Sequence, residues 1–176
     1  KTFVEGALKD GETVEVIYNN DCADNPLYSA IGPNSRDVQV SPSLEAARTT
    51  SADKKALPLA HASVDKNNPN RYNIYASALT RKGSMILSND DDIHLIKAEL
   101  IERGVMTGDA MTEVNKVIGK YDAASQLSTA PTLAQIAELR RIFLAFRGER
   151  TADIRRGLEQ GTAPTPWASR KIKWLP

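Results

Sequence analysis

The hydrophobic period changes once along the chain, and that change limits the folds open to it. Up to about residue 88, apolar side chains recur at every second position in short runs. Beyond it they recur three and four apart. The first period builds half-buried strands and the second amphipathic helices. Strands in succession followed by helices in succession predict an α+β plan, not the alternation that a parallel sheet needs.

The strand half opens with Thr2–Leu8 and Glu12–Tyr18 around Lys9-Asp10-Gly11, and Asp-Gly between β-prone runs predicts a hairpin. Asn19–Asp24 and Gly32–Ser35 read as turns on either side of a short apolar piece, Leu27–Ile31. Val38–Val40 reads as a short strand. Ser41–Lys55 stays open: Ser43–Arg48 fits one helical turn, and the polar run after it fits a loop. Ala56–Val64 and Arg71–Arg81 are the next extended runs, joined by the turn-favouring Asp65–Asn70, and Ser84–Ser88 follows Lys82-Gly83. These runs are expected to form an N-terminal hairpin and an antiparallel sheet that dimerisation extends.

The helical half starts at Ser88–Asp92, where Ser88 or Asn89 can cap and the aspartates suit the positive end of a helix dipole. Ile93, Ile96, Leu100 and Ile101 give that helix its apolar face and Gly104 stops it. Asp109 opens a second helix, with Met111, Val114, Val117, Ile118 and Tyr121 on one side. Thr132-Leu133-Ala134-Gln135 matches a capping box ahead of the apolar face Leu133–Phe146. Thr151 starts a last short helix that ends by Gly161 or Pro164. A soft boundary at Asp122–Ala130 divides the chain into a sheet-plus-helix unit, 1–121, and a helical extension, 122–176.

Charge follows that division. Residues 1–121 carry 14 basic and 17 acidic side chains, whereas residues 122–176 carry 9 basic and 5 acidic. A basic segment suits a polyanion or an acidic protein face, although a solvated helix surface accounts for it equally well. A single cysteine, Cys22, excludes an intrachain disulfide, and two histidines, His61 and His94, leave little for a metal centre. No run of eighteen apolar residues and no charged-then-apolar leader is present, so neither a membrane span nor a signal peptide is expected.

Few motifs carry chemistry. Ser51-Ala52-Asp53-Lys54 matches Ser-x-x-Lys but lacks a strand-to-helix setting. Asp90, Asp91 and Asp92 are adjacent on a helix, where successive side chains diverge by about 100°, so they serve the cap and dipole better than a cation. His94 and His61 have no second ligand at metal spacing and read as polar surface or interface residues. Cys22 has no neighbouring base, and Gly104–Gly108 lacks the Lys-Ser/Thr of a phosphate loop. No catalytic, metal or cofactor site is expected.

A binding face remains. His61 and Ser63 alternate to one side of the first central strand, and Asn73 and Tyr75 to one side of the second, with Arg71 and Ser77 alongside. If the strands pair with these residues on a shared face, the set offers a ring, a cation and hydrogen-bonding groups, the means by which single-stranded RNA is read. An ordinary solvent face, with Tyr75 packed across strands, fits the same pattern.

The order of signals resembles the coat proteins of small single-stranded RNA bacteriophages, the leviviruses. Phe3–Tyr18 is similar to their N-terminal hairpin. Ala62-Ser63-Val64-Asp65-Lys66-Asn67-Asn68-Pro69-Asn70-Arg71-Tyr72-Asn73-Ile74-Tyr75 is similar to their central strand–turn–strand, and Ser88–Ile101 to the helix after the last strand. The resemblance covers roughly residues 2–120. It implies a non-enzymatic virion subunit that dimerises edge to edge, packs helices over the partner's sheet, assembles into a shell and turns the other sheet face toward genomic RNA. Carried over by position, His61, Ser63, Asn73 and Tyr75 would face the RNA. Asp65 stands where some relatives carry Arg, and Lys82-Gly83 is a tight turn where the family has a long loop. Thr132–Arg147 and Thr151–Glu159 have no counterpart, and their apolar face is expected to pack on a neighbouring subunit. The alternatives are a small regulatory or adaptor domain docking through its basic C-terminal helices, and a hydrolase using Ser51 and Lys54.

Overall fold

A computed structural model gives the fold and describes residues 9–19, 23–35, 38–63, 72–159 and 161. Among these, four strands and seven α-helices make an α+β chain, but three short helices fall between the first and second strands, where strands in unbroken succession were expected. The strands are β1 Thr13–Val16, β2 Leu59–Ser63, β3 Tyr72–Ala76 and β4 Met85–Asn89. They form two separate antiparallel pairs, β1 with β4 and β2 with β3, so the last strand joins the arm expected in the hairpin and not the central strands. Thr2–Leu8, the other arm of the expected hairpin, lies outside the described residues. The turn before β1 has the expected chemistry: the Glu12 amide donates to the Lys9 carbonyl at 3.1 Å, and Gly11 holds the positive φ of +86° that glycine tolerates. β4 leaves the central pair because the chain turns twice after Ala76, at Leu79 and at Gly83. The second turn is held at Asn25, whose side chain donates to the Gly83 carbonyl and whose amide donates to Arg81.

Three short helices occupy the apolar piece Leu27–Ile31, the open stretch from Ser41 and the polar run after it that fitted a loop. They are α1 Pro26–Ile31, α2 Pro42–Ala47 and α3 Ser51–Ala56. Each follows a capping side chain, Asn25, Ser41 and Thr50, and the first two carry proline in the first turn, where its missing N–H costs nothing. Six residues are too few to show a hydrophobic period, so the caps were the only local signal. Ala56 consequently belongs to α3 and not to the strand that follows.

The longer helices are α4 Asp90–Glu102, α5 Ala110–Tyr121, α6 Leu133–Phe143 and α7 Arg150–Glu159. Asn89 caps α4, and Thr132 with Gln135 closes the expected capping box on α6. Leu95 and Ala98 of α4, Val114 and Val117 of α5, and Ile136 and Phe143 of α6 share one buried core with Ala52 and Leu57. The Tyr121 and Phe143 rings meet at 5.3 Å. The apolar face of residues 132–146, expected to seek a neighbouring subunit, is therefore buried in its own chain. The boundary at 121/122 does not divide two cores. A second, smaller cluster of Ile31, Val40 and Ile74 lies against β3, where the Val40 amide donates to the Ile74 carbonyl at 2.7 Å.

Candidate nucleic-acid interface

The β2–β3 register decides which candidate residues meet. Ser63 pairs with Tyr72, Ala62 with Asn73, His61 with Ile74 and Ala60 with Tyr75. Eight residues, 64–71, separate the innermost pair, and directly opposed residues share a face. His61 and Ser63 thus share a face with Tyr72, while Asn73 and Tyr75 stand on the opposite face with Ala60 and Ala62. The expected single face of His61, Ser63, Asn73 and Tyr75 is split, because it needed an odd number of intervening residues.

Asn73 is a structural residue. It is buried, and its side-chain amide donates to the Gly32 and Ser35 carbonyls at 2.7 and 3.0 Å, closing the turn after α1. Tyr75 is half-buried. Ser77 is exposed beyond the end of β3 and donates to the Pro58 carbonyl at 3.0 Å. Arg71 lies outside the described residues. His61 is exposed on the surface and hydrogen-bonds Glu45 of α2 at 2.6 Å. A carboxylate at that distance disfavours a phosphate beside His61.

The exposed end of this ribbon is built by His61, Ser63 and Tyr72. Tyr72 is 50% exposed, and its ring stands 5.9 Å from that of His61 at a tilt of 57°. Two adjacent rings at a strand end offer a stacking platform for unpaired bases. Tyr72 was not among the expected residues because Tyr75 was placed on the shared face, and the pairing of Ser63 with Tyr72 puts Tyr72 there instead.

The other singled-out residues are held inside the molecule. His94 is buried, not superficial: its Nδ1 is 2.7 Å from Glu113 and its Nε2 3.2 Å from Asp10. Asp90, Asp91 and Asp92 occupy the first turn of α4 as expected, with Asp92 completing the capping box on Asn89, and each also has a distant partner. Lys120 lies 2.6 Å from Asp90 and 2.7 Å from Asp91, and Arg147 lies 2.8 Å from Asp92. Ser51 opens α3, where its side chain hydrogen-bonds Asp122. Cys22 lies outside the described residues. Among the described residues no group of three His, Cys, Asp or Glu side chains is arranged to hold a metal, and no helix is long and apolar enough to cross a membrane.

Among the described residues, five arginines of the C-terminal part are ion-paired within the chain. Arg140 pairs with Asp153, Arg156 with Glu99 and Asp153, Arg141 with Glu138, and Arg155 with Glu159. With Arg147 on Asp92, five arginines expected to meet an acidic surface or RNA are matched by carboxylates of their own chain. The sequence matches no family model, no curated protein and no solved structure.

Proposed function

We propose that this chain is a self-assembling coat subunit that encloses single-stranded RNA, with identical copies as its main partner and the virion as its setting. The observation that carries this reading is the β1–β4 ribbon. Val14, Ile86 and Leu87 are exposed on it and Ile17 just beyond it, and three of the four β1 residues face solvent. The register shifts between Val14 and Glu15, opposite Leu87. Among the described residues the ribbon has these two strands; two strands alone are marginal in water, and edges with apolar side chains invite a further strand or another chain. A second copy supplies both. The resemblance of residues 2–120 to levivirus coat proteins points the same way. The RNA contact moves, however, to the His61–Ser63–Tyr72 end of the β2–β3 ribbon, where bases stack on rings and polar groups meet their edges. The adaptor reading loses ground because the arginines it relied on are internally paired.

Electron microscopy and size-exclusion chromatography of the purified protein test the reading. The expected result is large closed particles that co-purify with RNA. Leu87→Asp, a surface change, should leave folded subunits that fail to assemble, and Tyr72→Ala should leave particles with less RNA. A folded monomer at high protein concentration, free of nucleic acid, overturns the proposal.

A further inference from the structure

Between α2, α7 and the bend joining α6 to α7 lies a cleft of about 880 Å³. Small-molecule sites occupy about 300–1,000 Å³ and combine an apolar wall with a few placed polar groups. Here the wall is Leu44, Leu144, Ala145, Phe146 and Ile154. The bend is built by Phe146 at φ +68° and Gly148 at φ +85°, and the positive φ is uncommon for an aromatic residue. Held there, Phe146 packs against both core clusters.

Among the polar groups of the lining, Arg140 has a guanidinium that is only partly used. Nε donates to both oxygens of Asp153, at 3.0 and 3.1 Å. Nη2 has a long contact, 3.4 Å, to Glu149, whose side chain is 46% exposed. Nη1 is buried with no hydrogen-bond partner. A buried donor without an acceptor is costly, and the edge formed by Nη1 and Nη2 has the fork geometry that matches a carboxylate.

We propose that this cleft binds an aliphatic monocarboxylate. Its carboxylate replaces Glu149 on the Nη1–Nη2 edge of Arg140, and its chain lies on Leu44, Leu144, Ala145 and Ile154. The site is independent of self-assembly and of RNA, and it needs no residue of either proposed surface.

Isothermal titration calorimetry with sodium decanoate tests it, with 1-decanol as the uncharged control and circular dichroism to confirm that each variant is folded. Decanoate should bind saturably, at one site per chain, and more tightly than decanol. Glu149→Gln removes the competing carboxylate and should tighten decanoate binding severalfold. Ala46→Glu, at an exposed lining position, should weaken it by roughly tenfold through repulsion and crowding. Absence of saturable binding, equal affinity for decanol, or an affinity unmoved by Glu149→Gln overturns the proposal.

Discussion

Arg147 and Asp92 face each other at 2.8 Å where little water reaches, with side chains 7% and 9% exposed. Arg147 also donates to the Asn89 side chain at 2.6 Å, so one guanidinium from the bend after α6 ties down the cap of α4. Removing one partner of a buried pair strands the other charge, so Arg147→Ala is expected to destabilise the fold by about 3–5 kcal/mol, measured by urea denaturation. The neighbouring carboxylates make stability pH-dependent. Burial alone would raise the pKa of Asp90, but Lys120 and the Gly11 amide outweigh it and hold the group below the usual aspartate range. Glu99 is treated alike by burial and then Arg156 and Arg103, and Glu113 by burial and then Lys116 and His94. A carboxylate whose pKa is lower folded than unfolded stabilises the fold above its ordinary value, and that contribution disappears as pH falls through the folded value. Urea midpoints should therefore drop below about pH 4, and the drop should shrink in Lys120→Met. At the alkaline end, burial and the nearby Asp91 push the Tyr121 phenol up to about 12. Local sequence showed that the three aspartates belong at a helix start. Their partners Lys120 and Arg147 lie 29 and 55 residues away at the nearest, a separation no local pattern reports.

At the scale of elements, legibility follows length and local chemistry. α4, α5 and α6 span three turns or more, so their apolar stripes are visible in sequence, and their caps fall where Asn89, Asp109 and Thr132 predict. Thr132→Ala removes the acceptor for the Gln135 amide and half of the capping box. It should cost about 1 kcal/mol in thermal or urea denaturation, with little change in the midpoint-region slope. Strands were legible as strands for the same reason, since alternation is local. Their pairing was not. β1 joins β4 some seventy residues on, and a difference between six and eight turn residues would have kept the β2–β3 strands while leaving the ladder longer or shorter. What moved the candidate RNA face was parity. Pairing Ser63 with Tyr72 puts every odd-numbered β2 residue beside an even-numbered β3 residue, so Asn73 turns away from His61 and closes the turn at Gly32–Ser35 instead.

At the scale of the whole molecule, the C-terminal helices are part of the core. Ile136, Ile142 and Phe143 are each no more than 4% exposed, and they cover Leu95 and Val117, which are fully buried. A chain truncated after Asp122 should therefore lose cooperative unfolding or become insoluble, because burial of each such side chain contributes about 1.5–3 kcal/mol. A soluble, cooperatively folding truncation would show that α6 is an appendage after all. The sequence by itself determined the mixed α+β character, the long helices with their caps and stops, and the presence of two central strands. Each of these follows from interactions within a few residues, where periodicity and capping chemistry act. Only the tertiary structure decided that the strands form two ribbons, that residues 132–146 turn inward, that His94 and the aspartates are buried among ion pairs, and that Tyr72 stands where Tyr75 was expected. Those outcomes depend on side chains far apart in sequence competing for the same buried volume and the same opposite charges.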